Sequence, residues 1–323
     1  MAAVHLVTGG AGFVGANLVR SLLSRGEDVI VVDDLSLGRR EYLAPFEGRR
    51  EFTFRQVDCS DAPALRLAVE PFHSIRNISD VWHLAANSDI PAGVADPRID
   101  LVRTFLTTFS LLSVMCDLNI PDLHFASSSA VYGDFKGIPT SEASGPLEPI
   151  SNYGAMKLAS EAQIRAAVES FLRRANIFRF PNVVGTPATH GVIVDLIRKC
   201  RSSPDGFDVL GDGTQQKIYL HVEDLIDAML FIRKHATERF NVLNIGPDDE
   251  GASVRAIAEA VRDCVSPRAA LRFGSSNRGW VGDIPRFRYL NNKLRSWGWE
   301  PSMSSTDAIR NAVAQIAAAG EIP

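Results

Sequence analysis

The segment from Val4 to Asp33 admits few folds. A short apolar run, Val4–Thr8, ends in the glycine cluster Gly9-Gly10-Ala11-Gly12-Phe13-Val14-Gly15. A stretch with apolar residues at Phe13, Val14, Leu18, Leu22 and Leu23 follows, close to a helical period. Gly26 stands where a helix C′ residue belongs. Then Val29–Val32 is a β-branched run that stops at Asp33. Strand, helix and strand in so little chain form one βαβ unit, which requires a parallel sheet with a right-handed crossover.

The alternation continues. Strands are expected at Phe52–Val57, Asp80–Ala85, Leu123–Ala126 and Ile177–Phe180, and helices at Leu101–Leu118 and Tyr153–Leu172. Repeated βα units with buried strands imply an α/β fold, a doubly wound parallel (Rossmann) sheet. From about residue 183 onward glycine and proline are more frequent and the strands shorter. Helical signals recur at Val222–Lys234, Val254–Val265 and Thr306–Ala318. The expected organisation is a dinucleotide-binding domain over 1–182, with its sheet completed by later segments, and a smaller α+β substrate lobe over 183–323.

Ligands of such sheets bind at the carboxyl ends of the strands. Asp33, Asp58, Ala85, Ser128 and Asn182 lie at or just past such ends. The glycines let the backbone turn sharply and approach a pyrophosphate, and the following helix N-terminus offers N–H groups and partial positive charge. Asp33 falls 18 residues beyond Gly15, placed to accept from adenosine ribose hydroxyls and to repel a 2′-phosphate. NAD is therefore expected over NADP. Arg39 and Arg40 are read as solvated surface charges. Asp58 has two readings, an acceptor for the adenine amine or a turn residue.

Tyr153-Gly-Ala-Met-Lys157 places a phenol and an ammonium at i and i+4, on one helix face. A lysine beside a phenol favours the phenolate and is expected to lower the tyrosine pKa. Such a tyrosine can take a proton from a sugar hydroxyl near neutral pH. Alone the pattern is weak; after a glycine loop and the Ser127-Ser128-Ser129 strand end it gains weight. Ser128 is the expected third member, since a hydroxyl both donates and accepts. The serines could also serve as turn formers.

With these residues in view, the chain resembles an extended short-chain dehydrogenase/reductase of the nucleotide-sugar epimerase/dehydratase family, of the UDP-glucose 4-epimerase type. The matching stretches run almost end to end: Thr8–Gly15, Asp33-Asp34-Leu35-Ser36, His83-Leu84-Ala85-Ala86, Ser127–Gly133, Pro149–Lys157, Arg179–Gly185, Leu210–Asp224 and Leu294–Pro301. The resemblance implies NAD contacts from Gly9, Gly12, Phe13, Val14, Gly15, Asp33, Asp34, Ser36, Asp58, Cys59, Leu84, Ala85, Ala86 and Ser88, together with Tyr153 and Lys157. It implies a nucleoside-diphosphate sugar, with UDP favoured, on Ser128, Tyr153, Asn182, Val192, Lys217, Tyr219 and Arg278, with Gly191 and Ile193 beside Val192. Tyr219 could instead be core, and Arg278 a surface ion pair. The implied reaction is epimerisation at C4: oxidation by NAD, rotation of the ketone, and hydride return to its other face.

Several positions depart from the family pattern. Sugar 4,6-dehydratases carry an Asp-Glu pair where this chain has Ser129 and Ala130, and elimination needs such an acid and base. Epimerisation is therefore favoured over the alternatives, a dehydratase or dehydrogenase on the same substrates, or a non-catalytic NAD-binding sensor or assembly protein. Thr104, Lys217-Ile218 and Gly185-Thr186 stand where asparagine, Arg-Asp and Gly-Pro are usual. Lysine keeps charge but loses the guanidinium fork, so these changes bear on the nucleotide and the sugar. Asp89 either faces the sugar or caps the next segment.

Charge and composition exclude other classes. A net charge of -4 lacks the basic footprint of a nucleic-acid binder. No apolar run is expected to span a membrane, and the N-terminus lacks the pattern of a secretory signal, so a cytoplasmic protein is expected. Cys59, Cys116, Cys200 and Cys264 are scattered and the seven histidines do not cluster, so no metal is expected. The Leu101–Leu118 helix is apolar over too wide a face for a lightly covered surface helix; either all of it packs on the sheet or it also meets a twin, and a homodimer is expected.

Overall fold

The structure is a computed structural model and describes residues 3–188, 190–276 and 286–319. Six strands form most of its main sheet: β1 (Val4–Thr8), β2 (Asp28–Asp33), β3 (Phe52–Gln56), β4 (Asp80–His83), β5 (Asp122–Ala126) and β6 (Arg174–Arg179). They run in the order β3-β2-β1-β4-β5-β6, and the Phe240–Asn244 strand completes seven beyond β6. Every pairing among the six is parallel. The order reverses between β1 and β4, which makes the ends of those two strands the switch point where a doubly wound sheet binds its ligand.

β1, β2, β4 and β5 are buried along their whole length. Their alternate residues face opposite sides of the sheet. Val4, Leu6, Ile30, Val32, Val81, Leu123, Phe125 and Ile177 share a core with Leu65 and Val69 of the Ala62–Ile75 helix, Leu111 and Met115 of the Pro97–Leu118 helix, and Ile164 and Val168 of the Asn152–Ser170 helix. The helix starts carry their own caps: Asp61 accepts from Ala64 N at 3.0 Å and Ser151 Oγ from Gly154 N at 3.1 Å.

The chain divides into two compact units that interleave. The first comprises residues 1–132, 147–179 and 229–243; the second comprises 133–146, 180–228 and 244–323. The later segment that completes the first sheet is thus Met229–Leu243. Among the described residues the second unit has three two-stranded ladders, Asn182–Val184 with Tyr219–His221, Gln216–Lys217 with Ala252–Ser253, and Gly206–Val209 with Ala270–Phe273. The Val192–Ser202, Val254–Val265 and Ser305–Ala318 helices close its core through Ile193, Ile197, Ile257, Val261, Ile309 and Val313.

Two expectations change. β6 begins at Arg174 rather than Ile177, because Asn176 is buried as a strand residue, its Nδ2 against His124 Nδ1 at 3.1 Å. An internal asparagine masks the strand's start. The long helix runs unbroken over Pro97–Leu118, with a π-helical stretch at Leu101–Leu106. By length and composition it could cross a membrane, contrary to the expectation that no run reaches that length. Half of its apolar window is buried inside the unit, and Leu111, Leu112, Val114 and Met115 pack in the core.

One buried ion pair ties the Asn152–Ser170 helix to β6. Arg179 donates to Glu161 through Nε at 3.0 Å and Nη2 at 2.6 Å, and to the Tyr132 hydroxyl through Nη1 at 3.1 Å. Ser127 Oγ donates to the same carboxylate. Both charged side chains are nearly solvent-free, at 5% and 6% exposure. Removing one partner strands the other charge in the interior. Glu161→Ala should therefore lower the unfolding free energy by about 3–5 kcal/mol, read from chemical denaturation midpoints.

Candidate active site

The glycine loop sits between β1 and the Phe13–Ser24 helix. Gly9 has φ +71°, and a Cβ there would lie 2.6 Å from Ala85 N. A Cβ on Gly15 would overlap the Gly9 carbonyl oxygen. These contacts account for two of the glycines. Asp33, at the end of β2, accepts from Ala11 N at 2.9 Å through one carboxylate oxygen and from Leu35 N at 2.9 Å through the other. Burial pushes its pKa up, against those two N–H bonds. It therefore fixes the loop to the end of β2.

The other expected cofactor residues border the same strand ends. Leu84 N donates to Thr8 O at 3.0 Å, and Ala85 backs Gly9. Asp34 Oδ1 accepts from Ser36 N at 2.9 Å and Asp58 Oδ1 from Ser60 N at 2.8 Å, so both side chains brace turns at the ends of β2 and β3. Asp58 stays exposed and keeps an oxygen for a ligand. Cys59 is buried and its thiol is pushed up by burial and by nearby aspartates, which leaves it an inert wall. Arg40 pairs with Glu47 at 2.9 Å on the surface. This open cradle has an acidic floor and, among the described residues, no buried cation placed for a 2′-phosphate. It fits NAD.

Ser128, Tyr153 and Lys157 converge beside this cradle, at the carboxyl end of β5. Ser128 follows the strand, and its Oγ accepts from Ala130 N at 3.1 Å while hydrogen-bonding Tyr153. The turn-forming reading of Ser128 is thus seen directly, and its bond to Tyr153 leaves room for the functional one. Lys157 is 1% exposed, and its Nζ donates to Ala126 O, the last carbonyl of β5, at 2.6 Å. The ammonium lies 4.6 Å from the Phe125 ring centroid and 5.8 Å from that of Tyr153.

The electrostatics differ from the expected lysine-lowered phenol. Burial pushes Tyr153 up to about 12; the Ser128 bond opposes this and the charge of Asp100 adds to it. Burial pushes Lys157 down to about 7, against Glu161 and Asp100, which favour the ammonium. The i, i+4 spacing places the pair correctly, but desolvation governs both groups. His83, at the end of β4, is pushed down to about 3 by burial and by Lys157. It stays neutral and bridges Thr8 and Thr108 at 2.7 and 3.0 Å.

Asp89 caps the Ile90–Ala95 helix through Ala92 N at 3.0 Å, the second of its two expected roles. Asn182, Val192, Lys217 and Tyr219 lie in the second unit: Asn182 is exposed, Val192 opens its helix, Lys217 sits in a short strand, and Tyr219 is buried in the core. Arg278 lies outside the described residues. Asp100 and Asn87 carry no signal in the sequence, because an acid in a first helical turn and an asparagine in a loop look structural. No group of three or more potential metal ligands occurs among the described residues.

Comparison with known proteins agrees with this geometry. The model of the NAD-dependent epimerase/dehydratase family matches residues 5–246, and the chain belongs to that family. UDP-glucose 4-epimerase of Lactobacillus helveticus is 31% identical, with 94% of each chain covered. A crystal structure of UDP-galactose 4-epimerase superposes with a TM-score of 0.85 at 33% identity, covering 98% of this chain and 100% of that one. UDP-glucose 4-epimerase of Thermus thermophilus, solved with NAD, gives a TM-score of 0.83 at 27% identity, covering 97% of this chain and 98% of that one.

The loop generates a direct test. Gly9→Ala forces a Cβ into left-handed backbone and against Ala85 N, a cost of about 1–3 kcal/mol before any relaxation. The melting temperature should fall and NAD titration should show at least a tenfold weaker affinity.

Proposed function

We propose that the chain interconverts C4 epimers of a nucleoside-diphosphate hexose, with UDP as the nucleotide, through Tyr153 as proton shuttle. The observation that carries this reading is the Ser128–Tyr153–Lys157 grouping beside the glycine cradle. NAD, when bound, supplies reversible two-electron oxidation at C4. Ser128 holds the substrate oxygen and the Tyr153 hydroxyl in line. Tyr153 takes the proton from the C4 hydroxyl and returns it after the sugar has turned. The Ser128 bond favours the tyrosinate at the moment of transfer, and Lys157 adds positive charge from the same helix face while it is protonated. Proximity supplies the rest, since the groups are held by a strand end and a helix face.

Ser129 and Ala130 open a short 3₁₀ turn directly after Ser128. Neither carries a carboxyl group, which supports epimerisation over water elimination. In the second unit, Lys217 suits a diphosphate by charge, and Asn182 and Val192 suit contacts with the nucleotide. Arg278 is proposed for the same diphosphate on its charge alone. The test is a panel of UDP-, dTDP-, GDP- and CDP-sugars with NAD, read by NMR. UDP-glucose or an N-acetylated counterpart should yield its C4 epimer without net NADH. A stable 4-keto-6-deoxy product or stoichiometric NADH would overturn the reading. Tyr153→Phe should cost roughly 10²–10⁴ in kcat while NAD affinity and fold persist.

A homodimer through the Pro97–Leu118 helix belongs to the same proposal. Leu101, Val102 and Phe109 are 43%, 38% and 52% exposed there, an apolar surface suited to a second copy. Phe109→Glu should convert a dimeric mass into a monomeric one in light scattering at micromolar protein. A monomeric mass for the unaltered chain would remove the dimer.

A further inference from the structure

Asp100 lies in the first turn of the Pro97–Leu118 helix and is fully buried. An acid in that turn ordinarily serves the helix N-terminus from the surface. Asp96 already does so, its Oδ1 accepting from Arg98 N at 3.0 Å. The Asp100 side chain goes inward instead. Its Oδ1 accepts from Asn87 Nδ2 at 2.9 Å. Its Oδ2 is buried with no hydrogen-bond partner and rests against Gly93, where a Cβ would overlap it. The Gly93 carbonyl accepts from Asn152 Nδ2 at 2.9 Å, and Asn152 immediately precedes Tyr153. A half-satisfied buried carboxylate is costly, and it is wedged against Gly93, whose carbonyl is held by the first residue of the Tyr153–Lys157 helix.

We propose that Asp100 is a positioning residue for the reaction: a buried counter-charge that sets the proton balance of Tyr153 and Lys157. This rests on the reading of Tyr153 as the proton shuttle. Few charges compete with it. The Asn152–Ser170 helix presents Tyr153 and Lys157 to Asp100, and the segment after β4 presents Asn87 and Asp89. Lys157 also feels Glu161, whose carboxylate is held by Arg179, and acts on His83, which stays neutral. Arg98, on the helix of Asp100, is taken by Asp96 at the surface. Burial pushes the Asp100 carboxyl up and Asp89 adds to this, while the Asn87 bond and Lys157 oppose it.

The sign of the effect follows from charge alone. An ionised Asp100 repels the tyrosinate and so raises Tyr153; it attracts the ammonium and so raises Lys157. Asp100→Asn removes both effects, so both groups should titrate at lower pH. Both limbs of the pH profile of kcat/KM then move acid together, by roughly one pH unit. A merely structural loss lowers kcat and leaves the limbs in place.

The decisive experiment does not require turnover. Stopped-flow pH-jumps on the NAD-free chain record tyrosinate ultraviolet absorbance, with Tyr153→Phe subtracted to isolate Tyr153. Asp100→Asn should shift that titration acid. Asn87→Ala leaves Asp100 in place and ionised at the alkaline pH where Tyr153 titrates, but removes the amide dipole that offsets its charge, so it should shift the titration to slightly higher pH. The second variant decides the question if Asp100→Asn fails to fold. A Tyr153 titration that stays put or moves to higher pH in folded Asp100→Asn, or that stays put or moves acid in folded Asn87→Ala, overturns the proposal. If no nucleotide sugar in the panel turns over, the epimerase reading fails while this titration still returns its answer.

Discussion

Burial of a lysine against the last carbonyl of β5 is the constraint on which the site depends. An ammonium with 1% exposure survives in a folded chain only if acids nearby offset its desolvation. Glu161 and Asp100 do this from two directions. Glu161 is itself held by Arg179, which is held by Tyr132. The interior at the end of β5 is thus a small charged lattice rather than an apolar core. The rigid parts of the first unit, β5, β6 and the Asn152–Ser170 helix, meet in it. A proton shuttle needs such a setting, because a phenol in low dielectric responds strongly to single charges.

The same setting explains why the groups lie where they do along the sheet. The chain order reverses between β1 and β4, and the glycine loop, His83 and Ala85 occupy that point. Ser128 and Lys157 stand one strand further on, at the end of β5. A cofactor laid across the switch point would extend from Asp33 at one side to Tyr153 at the other. Asp33 contributes to both architecture and recognition, since its carboxylate spans Ala11 N and Leu35 N.

Much of this is legible in the sequence, for identifiable reasons. Glycines, β-branched runs and a terminal aspartate announce β1, the loop and β2, because each is a local signal. The Tyr153–Lys157 spacing announces a shared helix face. What stays hidden is set by distant contacts. Asn176 reads as a break in β6, yet it is a strand residue whose partner His124 lies 52 positions away. Asp100 reads as an ordinary first-turn acid, because only the fold buries it under Gly93. The direction of the Tyr153 pKa escapes the sequence because spacing reports proximity and not desolvation. Tyr219, which two readings fit equally, is buried in the second core through contacts that periodicity cannot display.

The interleaving of the two units bears on how the chain is made. The strand Phe240–Asn244 joins the sheet beside β6, although about sixty residues of mostly second-unit chain separate the two in sequence. During synthesis the first sheet cannot gain its outer strand until that segment has left the ribosome. Until then β6 presents an unpaired edge, with its row of free N–H and C=O groups. Closure of the first sheet therefore requires chain that follows, in sequence, a region belonging largely to the other unit.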